Sequence, residues 1–132
     1  MPPENPTRKT SRQAGQPRGA AAEEAACRYL LRQGLTCLSR NYRCRQGEID
    51  LVMADGDCLV FVEVRQRRTT RYGSASESVD RRKQQKLIQA ARHYLLTRGR
   101  NDSAARFDVV AMNGDGDQWT LEWIRDAFGL DL

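Results

Sequence analysis

Residues 47–65 read GEIDLVMADGDCLVFVEVR. Two runs rich in branched and apolar side chains, 47–54 and 58–65, flank Asp55-Gly56-Asp57. That pattern predicts two strands joined by a tight hairpin. If the loop is Gly56-Asp57, then Asp55 pairs with Cys58 and Asp50 stands directly opposite Glu63. If the loop is Asp55-Gly56, Asp50 is diagonal to Glu63. In either register the period of two puts both carboxylates on one face.

Strict alternation assigns Ile49, Leu51 and Met53 to one face of the first strand and Glu48, Asp50 and Val52 to the other. On the second strand Val60, Val62 and Val64 share a face, with Leu59, Phe61, Glu63 and Arg65 opposite. Phe61 beside Glu63 implies that the acidic face is covered. Like charges facing each other across an antiparallel pair destabilise it. Burial deepens that cost unless a cation sits between them. A hard divalent cation, Mg²⁺ or Mn²⁺, answers the need, because it takes oxygen ligands from one or two carboxylates and from substrate phosphates. Such a metal supports phosphoryl chemistry. The same spacing is equally satisfied by two acids pointing into water, or by Glu63 and Arg65 pairing with their neighbours.

Upstream, residues 20–33 predict a helix with an apolar stripe of Ala22, Ala25, Ala26, Tyr29 and Leu30, stopped by Gly34. Glu23 borders this stripe and is the acid best placed to join the carboxylates. Glu24 is four residues before Arg28, which suits an outward ion pair. Residues 36–43 predict a first strand. Downstream, 78–97 predict a second helix, with Ser78 as its cap, Asp80 in its first turn and a stripe of Val79, Leu87, Ala90, Ala91 and Tyr94. Lys83 lies on the line of that stripe, either reaching the acidic face as a cation or snorkelling at the stripe's end. Residues 105–112 and 118–125 predict two further strands around a turn at 113–117, with Trp119, Leu121 and Trp123 on one face. The order is helix, three-strand meander, helix, two strands. It predicts an α/β fold with a central mixed five-stranded sheet flanked by helices.

The chain has 132 residues, with 22 Lys and Arg against 17 Asp and Glu, a formal net charge of +5. A single domain over 20–132 is the natural count. No apolar run approaches the roughly 18 residues needed to span a bilayer. Residues 1–19 carry four cations against Glu4, hold all four prolines and lack an apolar core region. They read as a disordered basic arm rather than a signal peptide. Four cysteines without a paired short spacing point to a reduced cytoplasm rather than to structural zinc. Residues 65–86 hold eight cations, among them Arg65, Arg67, Arg68, Arg71 and Lys83, against Glu77 and Asp80. Cations adjoining paired acids suit a nucleic-acid backbone, which is held by charge and position rather than by sequence. A solvated charged loop has the same composition.

Several blocks together resemble the YraN-type family of small bacterial proteins. They are Ala22-Glu23 with Ala26 and Tyr29-Leu30, Asn41-Tyr42-Arg43, Gly47-Glu48-Ile49-Asp50-Leu51 and Phe61-Val62-Glu63-Val64-Arg65. Tyr72-Gly73, Val79, Lys83, Arg106-Phe107-Asp108-Val109 and Ala127-Phe128 extend the match. The family is similar in fold to the restriction-endonuclease-like superfamily and to archaeal Holliday-junction resolvases. The resemblance implies a metal-dependent endonuclease-like protein acting on DNA, branched or structured. It implies Glu23, Asp50 and Glu63 as metal ligands, and a Lys two residues after the Glu. Here that position is Arg65, which stays protonated and can hold a phosphate but is a poor base. Lys83 is the candidate substitute. By analogy with the resolvases a homodimer would suit a junction-binding role. The alternatives are a nucleic-acid-binding module that keeps the fold without the chemistry, and a protein-interaction subunit.

Overall fold

The computed structural model of the chain describes residues 17–68, 73–115 and 117–129. Most of the expected N-terminal arm, together with Arg71 and Tyr72, lies outside the described residues. The elements run α1 (Ala20–Arg32), β1 (Thr36–Cys44), β2 (Gly47–Asp55), β3 (Cys58–Arg67), a 3₁₀ turn (Ser76–Ser78), α2 (Arg81–Thr97), β4 (Ala105–Asp115) and β5 (Gln118–Phe128). The strands form one mixed sheet in the order β1-β2-β3-β4-β5. β1, β2 and β3 make an antiparallel meander. β4 runs parallel to β3, a pairing that needs a crossover, and α2 supplies it. β5 returns antiparallel along β4. This is the α/β order that the sequence predicts.

The helices cover opposite faces. On one face Ala22, Ala26, Cys27 and Leu30 of α1 pack on Leu51, Met53, Val60, Val62, Val110 and Met112, with Trp119 closing the end. On the other, Leu87, Ala90, Ala91 and Tyr94 of α2 pack on Val52, Leu59, Phe61, Phe107 and Val109. The Phe61 ring lies 5.8 Å from Tyr94 and 5.5 Å from Phe107. Tyr42 of β1 docks on α2 by an edge contact with Tyr94 and a hydrogen bond with Nδ1 of His93.

Three local expectations are corrected. α2 starts later than 78: Ser78 belongs to the 3₁₀ turn, and Asp80 is the cap, accepting from the Lys83 amide at 2.9 Å. β4 and β5 run into the 113–117 turn, because Asp115 still pairs with Gln118. Strict alternation fails in β2, where Ile49 joins Val52 on the α2 side instead of Leu51 and Met53. The hairpin register is the Gly56-Asp57 one, with Asp55 opposite Cys58 and Gly56 at φ 60 as the first central residue.

Asp108 of β4 is fully buried, and its carboxylate is saturated. Arg106 donates from Nε at 3.0 Å and Nη2 at 3.2 Å, the Trp123 indole at 2.9 Å and the Asp126 amide at 2.9 Å. Arg106 also reaches Asp55 at 3.1 Å, tying β4 to the hairpin. Removing one partner of a buried pair strands the other's charge, which costs about 3–5 kcal/mol. Asp108→Ala is therefore expected to lower unfolding stability by that order in urea titration, and Asp108→Asn by less. A change below about 1 kcal/mol for the alanine variant would exclude this anchoring role.

Candidate functional site

The β2–β3 ladder runs from Asp55↔Cys58 to Leu51↔Val62 and does not continue to an Asp50↔Glu63 pair. The expected direct opposition is thus not formed. Instead the Asp50 side chain crosses the gap, and its Oδ2 accepts the Val64 amide at 2.8 Å. A side chain has taken over an acceptor role that a β2 carbonyl would fill in a continued ladder. The slip of alternation between Ile49 and Val52 belongs to this same parting of strands.

Glu63 is carried on the α2 side by Phe61 and Leu59, which share its face of β3. Its residue is 5% exposed. Two cations approach the same oxygen, Oε2: Arg65 at 3.3 Å and Lys83 at 3.7 Å. Burial, and then the Asp50 charge, pushes the Glu63 carboxyl up to about 7 against the pull of Lys83 and Arg65. Glu23 reaches the gap from α1 on the opposite face. Burial, and then Asp50, raises its pKa, while a hydrogen bond from the Asn41 side chain and the Arg43 charge oppose the rise. Asn41 holds φ 51, a left-handed conformation that asparagine tolerates better than most residues. It is a contributor that strand periodicity does not reveal. Its signal was an Asn inside an otherwise extended run.

The cations divide by role. Arg65 is held by two anchors, since its Nη2 also donates to the Ser78 carbonyl at 2.8 Å. That bond fixes the 3₁₀ turn over the end of β3. Lys83 has one such partner and a side chain 42% exposed, so its amine faces both Glu63 and solvent. Arg67 is turned inward: Nε donates to Asn113 and Nη1 to the Gly73 carbonyl, both at 2.9 Å. Arg68 pairs with Asp115 at 3.6 Å on the surface. Two other acids stand outside the site. Glu48 is exposed and lies 3.8 Å from Arg43. Glu24 pairs with Arg40 at 2.6 Å rather than with Arg28.

Among the described residues, no three His, Cys, Asp or Glu side chains close into a metal-ligating cluster. The four cysteines are free. Part-buried Asp50 and buried Glu63 nonetheless fit a hard divalent cation, being two oxygen donors whose charges repel each other. Mg²⁺ characteristically takes one or two carboxylates and keeps several waters. Glu23 stands beside Asp50 as a further oxygen donor.

Because folding raises the Glu63 pKa, its protonated form is favoured in the native state. Below the ordinary value of 4.5 the group does not weaken the fold. As pH rises from there to about 7, stability falls, and above about 7 it is flat. In chelator, the wild type is expected to lose on the order of 1–3 kcal/mol relative to Glu63→Gln between pH 4.5 and 8. Parallel stability profiles for the two proteins would contradict the assigned environment.

Comparison with known proteins places these residues in a lineage. The model of the uncharacterised protein family UPF0102 matches residues 22–112, a stretch that contains Glu23, Asp50, Glu63, Arg65 and Lys83. A UPF0102 protein of Stutzerimonas stutzeri is 55% identical over 111 residues, covering 83% of this chain and 92% of its own. One of Halorhodospira halophila is 52% identical over 120 residues, covering 91% and 93%. One of Nitrosococcus oceani is 47% identical over 115 residues, covering 86% and 93%. With a family match across most of its length and relatives this similar, the chain belongs to UPF0102, the family of the YraN-type proteins.

Proposed function

We propose that this chain is a metal-dependent endonuclease-like protein acting on DNA phosphodiesters, with branched or structured DNA as the substrate class. The observation that carries this reading is the carboxylate pair at the strand gap. Asp50 is bound to the Val64 amide, and Glu63 is buried beside it with Arg65 and Lys83 at one oxygen. A stable fold has no need to bring two acids together in a desolvated place. A hydrolytic site for phosphate esters does. The mixed sheet, the Asp and Glu on adjacent strands and the acid on the preceding helix all agree with the restriction-endonuclease-like resemblance.

Asp50 and Glu63 would hold Mg²⁺ or Mn²⁺, with Glu23 beside them. Such an ion supplies Lewis-acid stabilisation of charge on a phosphoryl group. The chain's own residues do the rest. Arg65, fixed by Ser78, offers a rigid fork toward a phosphate oxygen. Lys83 can turn its amine from Glu63 to the substrate. Without the ion, burial and then the Asp50 charge push Glu63 up to about 7, so a cation binding there would displace its proton.

A second reading has an observation of its own. The motif position is Arg65, and its two anchors tie it to structure. A protein that binds nucleic acid without cutting it would tolerate that substitution.

In Mg²⁺ or Mn²⁺, wild-type protein is expected to cleave branched DNA in preference to linear duplex. Lys83→Ala should lower the rate about 100-fold, within the range for losing one cation that stabilises developing charge. Asp50→Asn should abolish both cleavage and the heat of metal binding in calorimetry. A wild type that binds DNA but cuts neither substrate with either metal would replace this reading by the second one.

A further inference from the structure

The remaining cations of α2 do not face the carboxylates. Arg82, Lys86 and Arg92, with Gln85 and Gln89, recur on one face of the helix, away from Leu87, Ala90 and Tyr94, which pack on the sheet. Together with Gln46 from the β1–β2 turn they line a shallow groove of about 450 Å³. The turn is pressed against the helix there, for a Cβ at Gly47 would come within 3.0 Å of the Lys86 carbonyl. The groove wall is therefore fixed by backbone contact.

Three features make this more than a solvated helix face. First, α2 contains no Asp or Glu in its 17 residues, and no carboxylate lines the groove. Second, among the described residues the Arg82 and Lys86 side chains have no ion-pair partner. Third, Arg81, Arg82 and Lys83 crowd the first turn, where the helix dipole disfavours cations by about 0.3–1 kcal/mol each. Stability alone argues against that placement, and an anionic ligand reverses the sign of its cost.

We propose that this groove is a phosphate-binding track for a nucleic-acid backbone, leading away from the carboxylate pair along α2. It rests on the nucleic-acid part of the function proposed above and not on cleavage. Lys83 at the carboxylates and Arg82 at the groove are neighbours in sequence, so the two sites share the start of the helix. From Arg82 to Arg92 the helix advances about 15 Å, long enough to follow several phosphates of one strand. The lining offers guanidinium, ammonium and amide donors but no aromatic ring. It therefore holds backbone and does not stack or read bases.

The test is fluorescence anisotropy of the full chain with 20-base-pair duplexes in EDTA, titrated with salt. Each lost phosphate contact lowers the slope of log K against log salt by about 0.9. The double variant Arg82→Gln/Lys86→Gln should lose nearly two such contacts, with affinity at least about tenfold weaker. The charge-keeping variant Arg82→Lys/Lys86→Arg should keep the wild-type slope, which separates lost charge from lost fold. Duplexes of unrelated sequence should bind alike. An unchanged slope in the glutamine variant, an equal loss in the charge-keeping one, or a wild type that binds no duplex would each overturn the track. Binding with the expected slopes but no cleavage in Mg²⁺ would keep the track and remove the hydrolytic reading. Cleavage with an unchanged slope would do the reverse.

Discussion

The hydrogen bond from the Val64 amide to Asp50 Oδ2 is the contact on which the site depends. Two antiparallel strands that part would leave backbone donors unpaired in a covered region. The part-buried Asp50 carboxylate satisfies one of them. Asp50 then becomes a fixed negative charge at the point where β2 and β3 separate. Glu63, one position past the last ladder pair on β3, must share that space. Its burial, and then the Asp50 charge, raise its pKa, and two cations meet its Oε2.

The gap also explains why the site draws on both layers of the fold. Within the paired part of the sheet, residues facing α1 and residues facing α2 are separated by the strands. Where the ladder opens, Glu23 from α1 meets Asp50 and Lys83 from α2 meets Glu63, two carboxylates that act on each other. Asp108 provides the contrast. It is buried more completely than Glu63, yet four donor groups surround it and none of its capacity is left for a ligand. Burial alone does not mark a functional acid. Burial beside a like charge does, because the arrangement stays costly until something positive enters it.

Much of this was legible in the sequence. The hairpin signal at 55–57 narrowed β2 and β3 to two registers, of which the structure adopts the Gly56-Asp57 loop, and the order of periodic segments pointed to the mixed sheet. Glu23 was distinguishable from Glu24 by its place on the edge of a helical stripe. What escaped was non-local. Alternation assumes a continuous pleat, so it misassigned Ile49 where the strand bends to part from β3. Glu48 looked like a member of the acidic face for the same reason, although it turns outward to Arg43. Arg67 looked free for phosphate because nothing in its neighbourhood announces Asn113, which arrives from β4. Ser78 and Asp80 both had capping chemistry. The choice fell to Asp80 because the 3₁₀ turn carrying Ser78 is held by Arg65.

That last contact links charge to topology. Arg65 leaves β3 as the first cation after Glu63, and its bond to Ser78 sets where the chain turns into α2. The start of α2 in turn decides which of three consecutive cations meets the carboxylates. With Asp80 as cap, Lys83 falls toward the sheet while Arg82 falls toward solvent. A helix begun two residues earlier could keep the same sequence, but its first turn would form over the segment that Arg65 holds. The arginine at the motif position is thus not a passive replacement for lysine. It holds the turn from which the helix carrying Lys83 starts.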